Sequence, residues 1–479
     1  MTWYLSYMFI YFIFMFAMGF YYFFRIKTYE EYLIGSWNSG FKPIVGTIIS
    51  TWCGASVFIA WVGMGFTVGV SGFFKFALPG ILFSLLLIIA FAAPLRRQKL
   101  YTIADLFGER FGGKSGVIPS VISAIIYSVP TLALQMVGMS TIFNITLGME
   151  LNIGIALSFI LILGFTILGG LPATILTDAL QSIIIIIGIS VLFLASVNYA
   201  DGFGQIFAHT PIEYLSPIGP YGLTEVLLYA LSVGPFYMVW QSTWQRIFAS
   251  KDEEVAKKAG ITGFLIAGAI SILPFSIGVI ARQFVPLNTD PDLLFSYVTA
   301  ELLHPAIGGV VFIALMAALM TGATSFILQG SSNLTRDMYQ RLYKPHANNK
   351  QLMTVSRVTV VIITILGLIT AYFITDIETA FQWALRLTAT VMVFPFIAVM
   401  FWKRVTKTAT IWSMVLAMIA TIIWPLLNIP IDHTIFGFLV SMISLILISL
   451  FSGHSGTEQV RAVYWEDLES ASANGSDDR

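Results

Sequence analysis

Hydroxyl groups and small side chains are concentrated in one apolar stretch, 314–339, which reads ALMAALMTGATSFILQGSSNLTRDMY. Thr321, Thr324 and Ser325 offer oxygens, and few bulky side chains lie between Ala317 and Thr324, so a neighbouring helix can approach closely. Oxygen donors in a membrane-length segment are suited to hold a cation or a polar solute. Ordinary packing of small residues between helices gives the same pattern, and this stretch alone leaves both interpretations open.

Few charged residues lie inside the apolar segments: Lys75, Asp178 and Arg386, with Glu225 and Arg282 nearer the segment ends. Charges in hydrocarbon are costly and usually face a cavity or a partner. Asp178 is either a structural carboxylate that accepts from backbone amides near a helix start or a group that couples to a cation. Arg386 lies too deep to snorkel easily, and it either binds an anionic solute or pairs with Asp178 or Glu225. We favour a role for Arg386 in the permeation pathway.

The composition indicates an integral membrane protein. Hydrophobic residues make up 57% of the 479 residues and charged residues 10%, with a mean hydropathy of +0.85. Apolar segments of about twenty residues, the length that crosses a hydrocarbon core, recur along the chain. They are continuously apolar and do not alternate, which excludes a β-barrel. We therefore predict an all-α polytopic protein with about thirteen transmembrane helices.

The distribution of Lys and Arg predicts the orientation in the membrane. Four loops, 199–221, 285–305, 373–376 and 428–432, contain neither residue type, so we place them outside. The N-terminus is then outside and the C-terminus in the cytoplasm, in a multi-pass protein of the cell (inner) membrane. The loops predicted to be cytoplasmic hold the basic residues Arg25, Lys27, Arg96, Arg97, Lys99, Arg110, Lys114, Arg246, Lys251, Lys257, Lys258, Arg336, Arg341, Lys344, Lys350, Lys403, Arg404 and Lys407.

The second and seventh predicted spans, 43–69 and 222–243, are both interrupted by Gly or Pro near the middle. The second contains STWCGASVFIAWVGMG, and the seventh contains ALSVGPFYMVWQ, where Pro235 removes a backbone donor. A pair of interrupted helices in corresponding positions indicates a transporter site, because the breaks expose carbonyls and helix dipoles at mid-membrane. The alternative is two kinked helices whose neighbours satisfy the freed groups.

Six segments together resemble the sodium:solute symporter family, which includes carriers of proline, pantothenate, sugars and monocarboxylates. They are YEEYLIGSW, GASVFIAWVGMGFTVGVSG, YTIADLFGERFG, ILGGLPATILTDALQ, QSTWQRIFASKDEEVAKKAG and the 314–339 stretch, in the family's order. The resemblance implies an inverted five-plus-five helix core of the leucine-transporter type, with one extra helix before it and two after. It divides the chain into an extra helix and inner loop (1–42), two core repeats (43–220 and 221–401) and two C-terminal helices (402–452). The polar and acidic composition of 453–479 predicts a disordered cytoplasmic tail.

The same resemblance implies a sodium site between the second and ninth spans. Its ligands would be carbonyls of Ala55 and Phe58 together with Ala318, Thr321 and Gly322. The family usually carries two adjacent hydroxyl residues in the ninth span, but Gly322 follows Thr321 here, and Val57 replaces an aspartate of proline-type members. Sodium coupling therefore requires a substitute oxygen, from Ser56, Thr324 or water. Otherwise Arg386 or Lys75 stands in for the cation, or Asp178 carries a proton, in a sodium-independent or proton-coupled relative.

The solute is expected at mid-membrane, among polar groups and aromatic rings near the two breaks. Unpaired cations there favour an amino acid or an organic carboxylate over a sugar. The candidate residues are Ser50, Thr51, Trp61, Lys75, Gln135, Tyr237, Trp240, Gln241 and Arg386. Trp61 and Trp240 are equally suited to packing or interface roles, and Gln135 to an ordinary interhelical hydrogen bond.

These features predict a secondary active transporter that imports a small organic solute by alternating access, coupled to sodium or a proton. The alternatives are a sodium-independent relative and a solute sensor on a transporter scaffold. We expect no enzymatic activity, cofactor or nucleic-acid partner, because the five histidines are scattered and assemble no metal or catalytic site. The partners are the solute, the coupling cation and the lipid bilayer, and the sequence leaves the oligomeric state open.

Overall fold

A computed structural model of the protein describes residues 2–54, 56–373, 377–427, 429 and 431–453. Within these residues all regular elements are helices. The α-helices up to residue 199 are α1 (Thr2–Arg25), α2 (Tyr29–Ile34), α3 (Phe41–Trp52), α4 (Trp61–Val68), α5 (Leu78–Arg97), α6 (Ile103–Phe111), α7 (Val117–Val121), α8 (Ser128–Leu147) and α9 (Leu151–Tyr199).

The rest of the described chain adds eleven α-helices and several segments of other helix types. The α-helices are α10 (Phe203–His209), α11 (Ile212–Leu215), α12 (Leu223–Val233), α13 (Gln241–Ala249), α14 (Glu253–Ala281), α15 (Leu294–Leu302), α16 (Pro305–Ser332), α17 (Asn349–Phe373), α18 (Ile377–Phe401), α19 (Lys407–Ile423) and α20 (His433–Phe451). π-Helical segments occur at Ser56–Ala60, Phe73–Ala77, Ile122–Tyr127 and Asn333–Tyr343, and 3-10 segments at Gly35–Trp37, Gly113–Gly116, Gly234–Met238, Pro291–Leu293 and Trp424–Leu427.

Eleven helical stretches of the described chain are long and apolar enough to cross a bilayer, compared with the thirteen spans predicted. The difference lies in two places. The predicted span 43–69 is divided between α3 and α4, each too short to cross alone. The predicted spans 151–170 and 173–198 lie in the two parts of α9, which meet at a kink where Gly170 leaves the helical conformation (φ 55°, ψ −163°) just before Pro172.

Helix α16, from the small-residue stretch, forms the centre of the molecule. Every residue from Val311 to Ser332 is buried, and α1, α3, α8, α9 and α17 pack around it. Small side chains permit this packing: a Cβ placed on Gly188 of α9 would overlap Ala314 of α16. Between Val311 and Ser332 the hydroxyl-bearing helix therefore has no lipid-facing side.

Side-chain caps fix the starts of two short helices, α2 after the crossing helix α1 and α6 after the crossing helix α5. Thr28 and Glu31 form a capping box at the start of α2, and Thr102 and Asp105 form one at the start of α6. Each box satisfies backbone N–H groups that the first turn leaves without partners. Both helices lie in segments that carry the family resemblance, so the local sequence determines where they begin.

Candidate solute and cation site

The first interrupted helix runs through α3 and α4. Helix α3 ends at Trp52, Cys53 leaves the helical conformation (φ −84°, ψ 46°), and the chain continues in the π-helical segment Ser56–Ala60. Such a break leaves carbonyls that can coordinate ions inside a membrane. Of the two predicted carbonyl ligands, Ala55 lies outside the described residues and Phe58 is fully buried.

The second interrupted helix runs through α12 and α13. Helix α12 ends at Val233, the 3-10 segment Gly234–Met238 follows, and Trp240 is extended (φ −69°, ψ 99°) before α13 begins. Pro235 has no N–H group, so the α-helical hydrogen bonds do not continue through it. The non-helical residues are Val239 and Trp240, a few positions beyond the Gly-Pro pair that predicted the break.

Five side chains near the two breaks form what we call the aromatic layer: Trp52, Trp61, Phe76, Tyr237 and Trp240. The Trp52 ring centroid lies 4.9 Å from that of Tyr237, 5.9 Å from Trp61 and 6.3 Å from Trp240. All five are buried. Three were predicted as solute residues, whereas Trp52 and Phe76 were not. Their position in the sequence could have identified them, because Trp52 follows Thr51 and Phe76 follows Lys75, both of which are predicted solute residues.

Two of the predicted polar solute residues in α3 have partners away from the aromatic layer. The Ser50 hydroxyl donates to the carbonyl of Gly46 at 3.0 Å, within its own helix. The Thr51 hydroxyl lies 3.5 Å from that of Ser325 and so faces α16. Both hydroxyls are therefore engaged inside the helix bundle.

Gln241, the first residue of α13, also points toward α16. Its Oε1 accepts from Ser123 at 3.3 Å and its Nε2 donates to the carbonyl of Gln329 at 3.3 Å. The Gln329 amide in turn donates to the Ser123 hydroxyl at 2.9 Å. This buried amide network joins α13, α16 and the Ile122–Tyr127 segment, and it holds Gln241 apart from the aromatic layer.

The candidate sodium residues of α16 are all buried, and the hydroxyl of Thr321 has a defined hydrogen bond. Thr321 Oγ1 donates to Gln181 Oε1 at 2.8 Å, and Gln181 Nε2 donates to the hydroxyl of Tyr11 at 2.6 Å. Because its hydrogen points at Gln181, the Thr321 hydroxyl keeps its lone pairs for another partner. The Thr324 hydroxyl, considered above as a substitute donor, gives its hydrogen to the Thr321 carbonyl at 3.1 Å.

Gln135 of α8 lies beside the sodium candidates. A Cβ placed on Gly322 would be 2.8 Å from Gln135 Oε1, and one placed on Gly54 would be 3.7 Å from the same atom. Gln135 is 5% exposed. The structure thus places this predicted solute residue between the first helix break and α16.

Asp178 lies in a fully buried polar cluster. Its Oδ2 accepts from the Thr47 hydroxyl at 2.7 Å and lies 3.5 Å from Arg246 Nη2. Arg246 also contacts the hydroxyls of Thr47 and Ser325. Four helices meet here, since Thr47 belongs to α3, Asp178 to α9, Arg246 to α13 and Ser325 to α16.

The assignment of Arg246 to a cytoplasmic loop was wrong, because its side chain is completely buried against Asp178. Arg96 and Arg110 are also buried, and both bond to backbone carbonyls. Sequence spacing could not separate these arginines from solvated ones, since their carbonyl and carboxylate partners are remote in the chain.

Lys75 and Arg386 each have a carboxylate partner, which corrects the prediction of unpaired cations. Lys75 Nζ lies 2.8 Å from Glu225 Oε1. Arg386 Nη1 lies 3.1 Å from Asp432 Oδ2, and not beside Asp178 or Glu225 as considered above. The ring of Tyr229 lies under both cations, with centroid distances of 4.9 Å to Lys75 Nζ and 5.4 Å to Arg386 Cζ.

A cavity of about 270 Å³ adjoins Arg386, and we call it the Arg386 cavity. It is lined by Tyr229, Thr379, Gln382, Trp383, Arg386 and His433. Three buried polar atoms of this lining, Gln382 Oε1, Arg386 Nε and His433 Nε2, make no hydrogen bond with the described residues. Phe76 connects the cavity to the rest of the aromatic layer, because its ring contacts both Tyr229 of the cavity lining (6.0 Å between centroids) and Tyr237 of the layer (6.4 Å).

Two segments that carried the resemblance meet at the opposite end of the bundle. Asp105 of α6 is 1% exposed and pairs with Arg341 at 2.7 Å and with Arg336 at 3.3 Å. Asp337 accepts a hydrogen bond from Thr102 at 3.0 Å. The ion pairs join YTIADLFGERFG to the end of the 314–339 stretch and its continuation, two segments that the sequence does not show to be neighbours.

Interrupted helices around a buried hydroxyl helix are the features of an alternating-access secondary transporter. The model of the sodium:solute symporter family matches residues 32–417, and the chain belongs to that family. The osmoregulated proline transporter OpuE of Bacillus subtilis is 25% identical, with 92% of this chain and 94% of that protein covered. The sodium/pantothenate symporter of Escherichia coli is 24% identical over 84% of this chain and 85% of that protein.

Solved structures support the same fold. A Na⁺-coupled sialic acid symporter in a substrate-bound outward-open state matches with a TM-score of 0.84 at 17% identity, covering 94% of this chain and 98% of that one. Mhp1, a nucleobase-cation-symport-1 family transporter, matches with a TM-score of 0.60 at 13% identity, covering 89% of this chain and 97% of that one. The protein is a membrane-embedded symporter and not an enzyme, and its family implies sodium as coupling ion and a small organic solute as cargo.

Proposed function

We propose that the protein imports a small zwitterionic solute, of the amino-acid type, together with sodium bound between the first helix break and α16. The observation that carries the sodium proposal is the hydrogen bond from Thr321 to Gln181. It turns the hydroxyl lone pairs of a buried threonine away from Gln181, so they are available to a cation. Hard cations such as sodium prefer oxygen ligands, and carbonyls freed by the break after Trp52 supply more of them.

We propose thirteen crossings, organised as two inverted repeats at 43–220 and 221–401 with one preceding and two following helices. At 1.5 Å per residue the 49 residues of α9 suffice for about 74 Å of helix, more than twice a hydrocarbon core, and the kink at Gly170 would divide them into two crossings. The α3 and α4 pair would together form one interrupted crossing. The two interrupted crossings then occupy equivalent places in the repeats, which favours this arrangement.

The proposed orientation has the N-terminus outside and the C-terminus in the cytoplasm of a cell-membrane protein. The buried arginines Arg96, Arg110 and Arg246 no longer count toward the loop charge. Enough exposed cations remain on the same side to preserve the asymmetry, among them Arg97, Lys251 and Lys258. The Arg386 cavity then opens toward the outside, and the Asp105 ion pairs lie toward the cytoplasm.

The charge balance around the Arg386 cavity supports a zwitterionic solute. Beside the cavity Lys75 is matched by Glu225 and Arg386 by Asp432, so these two ion pairs contribute no net charge. Arg386 Nε is a donor suited to a carboxylate, and Gln382 Oε1 is an acceptor suited to an ammonium group. The volume of about 270 Å³ is below the roughly 300–1,000 Å³ of sites for drug-sized molecules, which suits an amino acid.

In the proposed cycle, solute entering from outside passes Tyr229 to reach the aromatic layer between the interrupted helices, where Phe76 is the first ring that it meets. Sodium favours the conformation to which it binds most tightly, and so shifts the populations of outward- and inward-open states. The cluster of Thr47, Asp178, Arg246 and Ser325 links both interrupted helices to α9 and α16. We assign Asp178 a coupling role on this ground, since a movement of either interrupted helix changes its contacts.

The absent hydroxyl at Gly322 favours a second candidate, a sodium-independent or proton-coupled carrier. Uptake of labelled amino acids into proteoliposomes decides between them, with an imposed sodium gradient in one set and a proton gradient in another. We expect uptake only with the sodium gradient, and reduced uptake in Thr321→Val, which keeps the shape of the residue without its hydroxyl. Uptake driven by the proton gradient alone would overturn sodium coupling. Sodium-driven uptake of another solute class, with none of the amino acids, would overturn the solute assignment.

A further inference from the structure

The carboxamide of Gln135 occupies the space that a side chain at residue 322 would need. A Cβ on Gly322 would lie 2.8 Å from Gln135 Oε1 and 3.0 Å from its Cδ, both closer than ordinary contact distances. The family resemblance implies a second hydroxyl-bearing residue at position 322, where this chain has glycine. Gln135 therefore supplies an oxygen close to the place from which the sequence has lost one.

One hydrogen bond of the amide group indicates which of its atoms faces the site. Gln135 Nε2 donates to the carbonyl of Thr131, one turn earlier in α8, at 3.3 Å. With the nitrogen directed to its own helix, Oε1 is the atom nearest to both Gly54 and Gly322. A carboxamide oxygen is a strong acceptor and a usual ligand for hard cations.

We propose that Gln135 Oε1 is a sodium ligand that replaces the hydroxyl missing at Gly322. This inference rests on the proposed sodium coupling and names a residue that completes the site. Thr321 supplies the second side-chain oxygen from α16, with its hydroxyl hydrogen held by Gln181. The ion would thus bind to side chains of α8 and α16 and to carbonyls of the first interrupted helix.

Steric exclusion explains why the two residues occur together. With Gln135 in this conformation, only glycine fits at 322, and with a serine at 322 the glutamine would have to withdraw. The two oxygen sources are therefore alternatives for one coordination position. Exchanging them should preserve sodium binding, whereas changing either one alone should weaken it.

The test is equilibrium binding of ²²Na⁺ to the purified full-length protein in nanodiscs, which requires neither the solute nor transport. We expect Gln135→Leu, which keeps the bulk and removes the oxygen, to weaken sodium binding about tenfold, which corresponds to about 1.4 kcal/mol. Gly322→Ser alone should also weaken it, because the serine and Gln135 then compete for the same space and neither oxygen can take its coordinating position. The double variant Gln135→Ala with Gly322→Ser should return to within about threefold of the wild-type affinity.

Controls separate loss of the ligand from loss of the fold. Gln205→Leu removes an exposed glutamine from a different helix and should leave sodium binding unchanged. If Gln135→Leu does not fold, Gln135→Glu serves in its place, because it retains an oxygen at the same distance and should bind sodium at least as tightly as the wild type. Tenfold weaker binding by a folded Gln135→Glu protein would overturn the proposal.

The remaining outcomes distinguish this proposal from the function on which it rests. Wild-type sodium binding together with unchanged affinity in Gln135→Leu would overturn the role of Gln135 and leave sodium coupling intact. A double variant that binds sodium no better than Gly322→Ser would likewise overturn the role of Gln135 and leave sodium coupling intact. If the wild type binds no sodium and a proton gradient alone drives uptake, sodium coupling and the proposed ligand both fail.

Discussion

The guanidinium group of Arg246 lies 3.5 Å from the carboxylate of Asp178, and neither side chain is accessible to solvent. Arg246 belongs to the second interrupted helix, and Asp178 belongs to α9 and accepts a hydrogen bond from Thr47 of the first. One buried ion pair thus contacts both of the helices that form the proposed transport site. Its burial makes the charge balance at this point sensitive to a change in either residue.

We predict that Asp178→Asn or Arg246→Gln alone destabilises the protein by about 3–5 kcal/mol, because each leaves one buried charge without its partner. The double variant should be more stable than either single variant, since it removes both charges together. Thermal unfolding of the purified proteins, followed by tryptophan fluorescence, ranks the single and double variants by stability. Arg97→Gln is the matched control, since its pair with Glu253 is exposed and should contribute about 1 kcal/mol or less. Independent, additive effects of the two buried substitutions would contradict the pairing.

Gly108 of α6 lies directly beneath the guanidinium group of Arg341, where a Cβ would overlap the Nη1 atom. We predict that Gly108→Ala pushes Arg341 away from Asp105 and costs about 1–3 kcal/mol of folding free energy. In an Arg341→Ala background the same substitution should have a much smaller effect, because the obstructing group is gone. Unfolding midpoints measure both effects. Gly204→Ala is the control, since no atom lies near its Cβ position, and an equal loss there would show that the Arg341 contact is not the cause.

Asp432 lies between α19 and α20, and its pKa is below the ordinary value. Burial alone would raise this pKa, but Arg386 and hydrogen bonds from Thr434 outweigh that effect. A lowered folded-state pKa means that the stabilisation is present above the unfolded pKa of about 3.9 and is lost as the pH falls through the folded value. We predict that below about pH 4 the stability of the wild type falls more steeply than that of Asp432→Asn. Parallel pH profiles of the two unfolding temperatures would contradict this.

Cys53 is the single cysteine of the chain, and it lies completely buried at the first helix break, next to Trp52. We predict that a thiol reagent labels it only when the interrupted helices move apart, so the labelling rate reports that opening. Sodium with a transported solute should lower this rate severalfold by favouring a closed state. The readout is the time course of labelling by mass spectrometry, with Cys53→Ser as the unreactive control. A rate equal to that of the unfolded protein would contradict the burial of Cys53.

The sequence by itself determined the class of the protein and several local features. Its composition and continuously apolar segments required a helical membrane protein, because only helices satisfy the backbone of such segments in lipid. Pro235 marked the second interrupted helix, since a proline removes a hydrogen bond wherever it occurs. The capping boxes at Thr28 and Thr102 fix the starts of α2 and α6. They too are local features, because the residues that interact in each box are only three positions apart in the sequence.

Tertiary structure alone decided which polar residues meet. From the sequence Arg246 is predicted to be a loop cation, but the fold places it beside Asp178. Arg386 is predicted to be unpaired, but the fold places it beside Asp432, which lies beyond the next helix in the chain. The sequence predicts that Gly322 removes a sodium ligand, whereas the fold places Gln135 of α8 against Gly322. Hydrophobicity and backbone chemistry are properties of a segment, and they can be read from it. Partner choice depends on helix rotation and packing, which only the complete bundle of helices determines.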